Sequence, residues 1–201
     1  MELLNQKIIL RDFMEADIED MIHWETVETE WQLWDAPWEY NENMLKFNPE
    51  AYREKALGSL KKLNNKDSMR RGFQICVNDE GKKHIGWCNS YEISDNFEYT
   101  HQGGHCTIGI AIPDLDARHK GYATAAWDLF LYYLLDNGIK EIYTQTWSGN
   151  VRVIGLIHKV GFEECNRIIN CRNVRGQNFD ALTFKLNLVK FRALHEALRL
   201  S

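Results

Sequence analysis

The sequence lacks the features that mark membrane, secreted and disulfide-rich proteins. It has no run of about 18 apolar residues, the length that a membrane-spanning helix needs. Its start, MELLNQKIILRDF, does not combine a basic segment with an apolar one as a signal peptide does. Its five cysteines are an odd number without CxxC or Cys/His ligand spacing, so neither a disulfide framework nor a zinc site is predicted. These absences favour a cytoplasmic protein without a membrane partner or a metal.

The sequence also lacks an excess of positive charge. Its net charge of -5 at pH 7 argues against nucleic acid as a partner, because such binding relies on a basic surface. The acids concentrate in residues 15–50, which contain eleven acidic residues and one basic residue, Lys46. This segment therefore carries a charge of -10 and the rest of the chain +5. The same segment contains four of the seven tryptophans. Carboxylates and large aromatic rings therefore coincide in one stretch of the chain.

The hydrophobic pattern is that of one domain of ordinary size, with 201 residues of which 44% are hydrophobic. It predicts a mixed α/β sheet of about seven strands flanked by helices, in a single domain over residues 1–201 with a core at 7–187 and a terminal helix at 188–200. Alternation and turn signals predict strands near 7–11, 73–77, 85–93, 108–112, 139–146, 162–171 and 178–187. Periodicity predicts helices near 15–26, 49–63, 123–135, 150–159 and 188–198.

The stretch RHKGYATAAW, residues 118–127, places basic residues and Gly121 directly before the clearest helix. The amides at a helix start have no intrahelical partner and lie at the positive end of the helix dipole, so they stabilise an anion. Gly121 lets the main chain come close to that anion. A helix that simply follows a basic loop gives the same pattern, so both interpretations stand on this stretch alone. The phosphate loops GxxxxGK[ST] and GxGxxG are absent.

Arg118, Gly121 and Ala123 occupy the fixed places of the pattern [QR]xxGx[GA]. The stretch thereby resembles motif A of the GNAT superfamily of acetyl-CoA-dependent N-acetyltransferases. Downstream, TWSGNVRVIGLIHKVGF is similar to the W-x-x-N-x-R...K-x-G-F helix of the ribosomal-protein N-terminal (alanine) acetyltransferase branch, and KIILRDFMEADIEDMIHW is similar to the opening of that branch. The resemblance runs in matching order from about residue 7 to 187. It implies a GNAT-like fold and acetyl-CoA (coenzyme A) as cofactor.

The resemblance also implies which residues hold the coenzyme. The strand that ends near residue 112 would pair with the pantetheine amides, and the loop before the helix would surround the pyrophosphate. Asn150 matches the asparagine of the family that contacts pantetheine, and it is equally suited to capping its own helix. Arg152 would meet a coenzyme phosphate or lie in solvent. The implied set is Ile110, Ala111, Ile112, Arg118, His119, Lys120, Gly121, Tyr122, Ala123, Thr124, Asn150 and Arg152.

The catalytic residues that many relatives carry are lacking. Thr107 stands where the family has a glutamate base, Ile157 where it has a tyrosine acid, and Val153 where some relatives use serine. The remaining candidates are His105, which alternation places on the same strand face as Thr107, water held by Thr107, and the ionisation of the acceptor itself. Positioning supplies ~7–11 kcal/mol and a placed acid or base about 3–5, so we expect turnover without either. A tyrosine in place of Ile157 is expected to restore an acid.

The acceptor wall of GNAT relatives forms between the first two helices, where this chain reads WQLWDAPWE. Indole faces and carboxylates together suit an organic cation, although tryptophans of a short loop also pack as a local core and acids also form a solvated face. The predicted function is N-acetyl transfer from acetyl-CoA to a primary amine of a small cationic molecule or a protein N-terminus. A non-catalytic acyl-CoA-binding sensor is the alternative, and a homodimer stays open. The implied acceptor residues are Trp31, Trp34, Asp35, Trp38 and Glu39.

Overall fold

The computed structural model describes residues 1–38, 47–62 and 68–199. It confirms the predicted fold class, a mixed α/β fold whose sheet is mostly antiparallel. The strands of the described residues are β1 (Glu2–Leu4), β2 (Ile8–Arg11), β3 (Gly72–Val77), β4 (His84–Ile93), β5 (Tyr99–Thr100), β6 (His105–Ala111), β7 (Ile142–Trp147), β8 (Phe162–Val174) and β9 (Gln177–Leu186).

Five α-helices have both ends in the described residues, and each overlaps a predicted one. A 3-10 helix, Thr29–Leu33, occupies part of the tryptophan-rich segment, and a second one, Leu115–Ala117, precedes the basic loop. The α-helices are α1 (Asp17–Thr26), α2 (Pro49–Lys62), α3 (Tyr122–Asp136), α4 (Val151–Val160) and α5 (Leu188–Arg199).

The seven predicted strands all occur, and two short strands add to them. The extra ones are β1, with three residues, and β5, with two. Strands of this length hold too few residues to show alternation, which is why the sequence predicts about seven strands and the described residues contain nine.

The chain packs as two compact units, and the single-domain boundaries stay a prediction. The first unit comprises Met1–Cys88 and Ile110–Leu129. Its strands lie in the order β1-β2-β3-β4, with Leu10 opposite Ile75 in the antiparallel β2–β3 register. Its core is formed by side chains that are at most 2% exposed, among them Ile8, Leu10, Ile18, Phe73, Ile75 and Ile85.

The second unit comprises Asn89–Gly109 and Phe130–Ser201. Strand β6 runs parallel to β7, β7 pairs antiparallel with β9, and β8 and β9 form a long antiparallel hairpin. Apolar side chains of the helices and strands form its core, among them Phe130, Leu134, Ile157, Phe162, Phe184 and Phe191. Among the described residues, no helix combines the length and the apolar character that a membrane crossing requires.

Candidate functional site

The basic loop in the first unit has an unusual main-chain conformation. His119 and Gly121 both adopt positive φ, at 61° and 82°. The Gly121 carbonyl accepts the first helical hydrogen bond, from Ala125 N at 3.1 Å, and α3 begins at Tyr122. The amides of Tyr122, Ala123 and Thr124 consequently have no intrahelical acceptor. The loop therefore offers several N–H groups at the positive end of α3.

Lys7 adds a positive charge to this loop, and sequence reasoning missed it. Its ammonium group donates to the carbonyl of Lys120 at 3.3 Å. A Cβ added to Gly121 would lie 3.1 Å from the same nitrogen. No local signal could have identified Lys7, because 113 residues separate it from Lys120. The loop thus combines main-chain amides without an intrahelical acceptor, a glycine without a side chain and nearby ammonium groups. These features together fit the pyrophosphate of coenzyme A.

The Arg118 side chain contacts the protein itself. Its Nε donates to the carbonyl of Ile112 at 3.1 Å, and Nη2 donates to that of Pro113 at 3.2 Å. Nη1 forms an ion pair with Glu30. The guanidinium thus holds the turn that precedes the loop. A contact between the Arg118 side chain and the pyrophosphate stays a prediction.

The predicted pantetheine strand lies at the end of β6. The parallel register with β7 covers Cys106, Thr107 and Ile108. Residues 110–112 follow the last of these pairs, and all three are half-buried. The pairing of these three residues with the pantetheine amides stays a prediction.

Asn150 and Arg152 lie at the start of α4 in the second unit. Asn150 is 8% exposed and its side chain accepts a hydrogen bond from Val153 N at 3.3 Å, which confirms its role as N-cap. Arg152 is exposed in the first turn of the helix. The contacts of both residues with the coenzyme stay predictions.

His105 and Thr107, the two predicted catalytic groups, both have partners within the protein. Thr107 is fully buried and its hydroxyl donates to the carbonyl of His105 at 3.3 Å. His105 Nε2 lies 3.0 Å from Asp95 Oδ1. His105 is the first residue of β6. The catalytic roles of His105 and Thr107 stay predictions.

Ile157, the residue at the position of the family's tyrosine, belongs to the core. Its side chain is fully buried in the second unit. A tyrosine there would have to fit into a filled apolar space, and the expectation that it restores an acid stays a prediction. His158 is exposed, and its ring packs edge-on against Phe184 with centroids 5.7 Å apart.

The acceptor segment, which we define as Trp31–Trp38, combines one core residue with more open ones. Trp31 is 6% exposed, packs edge-on against Trp87 and donates from Nε1 to the carbonyl of Trp24 at 2.9 Å. It therefore does not present an open ring face. Trp34 and Trp38 are half-buried, and Asp35 is exposed. Glu39 lies outside the described residues.

Glu25, a residue that sequence reasoning did not single out, adds a half-buried carboxylate near this segment. Burial raises the pKa of Glu25, the hydrogen bond from Gln32 Nε2 at 3.0 Å opposes that rise, and the charge of Asp35 adds to it. Gln32 itself is 2% exposed, and its Oε1 has no partner among the described groups. These groups would gain from a cationic hydrogen-bond donor.

Asp17, Asp20 and His84 form the cluster of metal-ligand type in the described residues. Both oxygens of Asp17 accept hydrogen bonds from Arg11, each at 2.6 Å. His84 Nδ1 lies 2.9 Å from Asp20 Oδ2. Arg11 on β2 thus forms an ion pair with Asp17 on α1, and we assign this pair a structural role, holding α1 against the sheet.

A comparison with family models identifies one family, and a comparison with solved structures finds the same fold. The model of the Acetyltransferase (GNAT) domain matches residues 7–163. A RimL ribosomal L7/L12 α-N-protein acetyltransferase, solved with coenzyme A, has a TM-score of 0.64 at 11% identity, covering 91% of this chain and 95% of its own.

Two further solved structures are similar. The ribosomal-protein-S5-alanine acetyltransferase of Vibrio fischeri has a TM-score of 0.64 at 14% identity, covering 92% of this chain and 95% of its own. A chimera of the Vibrio cholerae spermidine N-acetyltransferase has a TM-score of 0.62 at 17% identity, covering 94% and 99%. A comparison with curated protein sequences finds no match. The chain belongs to the GNAT family of acetyltransferases.

Proposed function

We propose that this acetyltransferase moves the acetyl group of acetyl-CoA to a primary amine of a small cationic molecule or of a protein N-terminus. The observation that carries the proposal is the loop at the start of α3, where His119 and Gly121 adopt positive φ beside the Lys7 ammonium. Family membership supports the acetyl donor, and the chemistry of the acceptor segment supports a cationic acceptor.

In this proposal, main-chain amides supply most of the contacts to the cofactor. The amides of Tyr122, Ala123 and Thr124 would bind the pyrophosphate, with Lys7 and Lys120 adding positive charge. When bound, acetyl-CoA supplies an acyl thioester. The main-chain N–H of Ile110 would donate a hydrogen bond to the oxygen on which negative charge develops, so stabilising this oxygen needs no side chain.

The proton chemistry favours a weakly basic amine. An α-amino group, with a pKa of ~7.7–8.0, loses its proton at pH 7.5 for under about 1 kcal/mol, whereas a lysine-like amine with a pKa of ~10.4 costs about 4 kcal/mol. We assign the removal of that proton neither to Thr107, which is fully buried, nor to His105, whose Nε2 lies 3.0 Å from Asp95 Oδ1. We therefore propose that the acceptor loses its proton to solvent and that the neutral amine is the form that reacts.

The acceptor segment supports recognition of positive charge away from the reacting amine. Asp35 is exposed, Glu25 is a half-buried carboxylate, and Trp34 and Trp38 are half-buried. An ammonium group would form ion pairs with the acids and cation–π contacts with the indoles. Structural neighbours that acetylate ribosomal proteins and spermidine are consistent with both acceptor classes.

A thiol-release screen tests the proposed function. Acetyl-CoA is incubated with the protein and with polyamines, aminoglycosides, amino acids or N-terminal peptides, and free thiol is measured. We expect release that depends on both protein and a cationic or N-terminal amine. Coenzyme binding without release for any acceptor would favour the alternative, a non-catalytic acyl-CoA-binding sensor.

A further inference from the structure

Glu30 connects the basic loop to the acceptor segment. Its Oε1 accepts a hydrogen bond from Trp34 Nε1 at 2.8 Å, and its Oε2 forms the ion pair with Arg118 Nη1. We call these three residues the Glu30 bridge. The side chain of Arg118 is 16% exposed and that of Glu30 33%, so the pair is partly shielded from solvent. Both carboxylate oxygens are thus directed at donors from two different parts of the first unit.

From this geometry we propose that Glu30 is a positioning residue, which shapes the pyrophosphate loop through Arg118 and transmits coenzyme occupancy to Trp34. The proposal rests on the proposed function, because it assigns the coenzyme to that loop. Arg118 also donates to the carbonyls of Ile112 and Pro113, so its guanidinium joins both ends of the turn that leads into the loop. A shift of the loop therefore moves the partner of Glu30, and Glu30 is hydrogen-bonded to the indole.

The bridge explains why a negative charge lies beside an anion site. By electrostatics alone, Glu30 repels the phosphates, and removing its charge would tighten coenzyme binding. If Glu30 instead shapes the loop, removing the charge weakens binding. The sign of the effect therefore separates the two accounts.

Glu30→Gln breaks the bridge because an amide has one oxygen, whereas both Arg118 and Trp34 require an acceptor. Glu28→Gln is the matched control. It removes the same charge from the same segment, and its remaining oxygen can still accept the hydrogen bond that Glu28 Oε1 receives from Leu115 N at 3.2 Å.

The first measurement is the Kd of coenzyme A by calorimetry. We expect Glu30→Gln to raise Kd roughly three- to tenfold, the range for one lost hydrogen bond, and Glu28→Gln to change it less than about twofold. Tighter binding by Glu30→Gln, or equal effects of the two variants, would overturn the proposal.

The second measurement needs no variant of Glu30. The indole N–H resonance of Trp34, assigned by its loss in Trp34→Phe, is followed by NMR while 3′-phosphoadenosine 5′-diphosphate is added. This nucleotide half of coenzyme A has no pantetheine arm to contact the acceptor segment. We expect the Trp34 resonance to shift in the wild type and in Glu28→Gln, and the shift to fall below half in Glu30→Gln.

The outcomes distinguish this inference from the proposed function. If neither the nucleotide nor coenzyme A binds the wild type, the proposed function fails and the bridge fails with it. If both bind and Trp34 does not respond, only the bridge is wrong.

Discussion

The proposed pyrophosphate loop and the proposed acceptor segment differ in the groups that would bind their ligands. In the proposed pyrophosphate loop, binding would depend on the main chain, on φ angles at His119 and Gly121 and on amides at the start of α3. In the proposed acceptor segment and at the nearby Glu25, it would depend on side chains, which have partners such as Trp87 for Trp31 and Gln32 for Glu25. A main-chain site leaves a readable sequence pattern, whereas a side-chain site depends on which residues the fold brings together.

The largest effect is expected from a substitution that disrupts the main-chain site. Gly121→Val should weaken coenzyme A binding at least tenfold, because a β-branched residue is strained at a φ of 82° and its side chain would enter the approach of the anion. Gly138→Val is the matched control. Gly138 lies just past the other end of α3 with a φ of 86° and no atom within 4 Å of an added Cβ. Calorimetry showing equal Kd values for the two variants would contradict the loop assignment.

A smaller effect is expected from substitutions that test the side-chain site. The double variant Glu25→Gln, Asp35→Asn should raise the KM for a polycationic acceptor roughly five- to tenfold, the scale of one charge-assisted hydrogen bond, and leave the Kd of coenzyme A unchanged. Glu15→Gln, Glu28→Gln removes the same charge from the same acidic segment as a control. Steady-state kinetics with an unchanged KM in the first variant would exclude these carboxylates from acceptor binding.

Ile157→Tyr tests whether the missing acid can be rebuilt. Because Ile157 is fully buried, overpacking should cost about 1–3 kcal/mol, equivalent to a Tm lower by roughly 2–10 °C, without a gain in kcat. Thermal unfolding and initial rates check the two parts. A higher kcat at unchanged Tm would show that the side chain reaches the leaving thiolate after all.

His105→Ala should lower kcat/KM less than tenfold, since the imidazole lies at the start of β6 beside Asp95. The pH profile should follow the free-amine fraction of the acceptor. A loss of 100-fold or more, with a low-pH inflection removed and coenzyme binding intact, would identify His105 as the base.

The smallest effect is on stability, and it follows from the raised pKa of Glu25. A carboxyl whose pKa is higher in the folded than in the unfolded state holds its proton more tightly when folded, so stability falls as pH rises through that interval. Glu25→Gln cannot ionise and its amide oxygen can still accept from Gln32. The variant should match the wild type near pH 4 and become more stable towards pH 7, as measured by Tm at each pH. The opposite trend would show that Glu25 is stabilised as a carboxylate.

Sequence reasoning predicted the elements that carry long patterns and the site that carries a main-chain motif. The seven longer strands, the five helices and the N-cap of Asn150 are confirmed, because periodicity and capping are local. It missed Lys7 and Glu30, whose partners Lys120 and Arg118 are distant in the sequence, and Glu25, whose raised pKa depends on burial. Alternation also could not show that Thr107 is fully buried, since it gives the face of a strand and not what covers that face.

Acetylated product is the most direct test of the central claim. The wild type and Gly121→Val are incubated with acetyl-CoA and each amine of the screen, and the acceptor is examined by mass spectrometry. The account predicts one added acetyl group on a primary amine, in proportion to the thiol released, with the product much reduced for Gly121→Val at limiting acetyl-CoA. Thiol release without an acetylated amine, or equal product from both proteins, would contradict it.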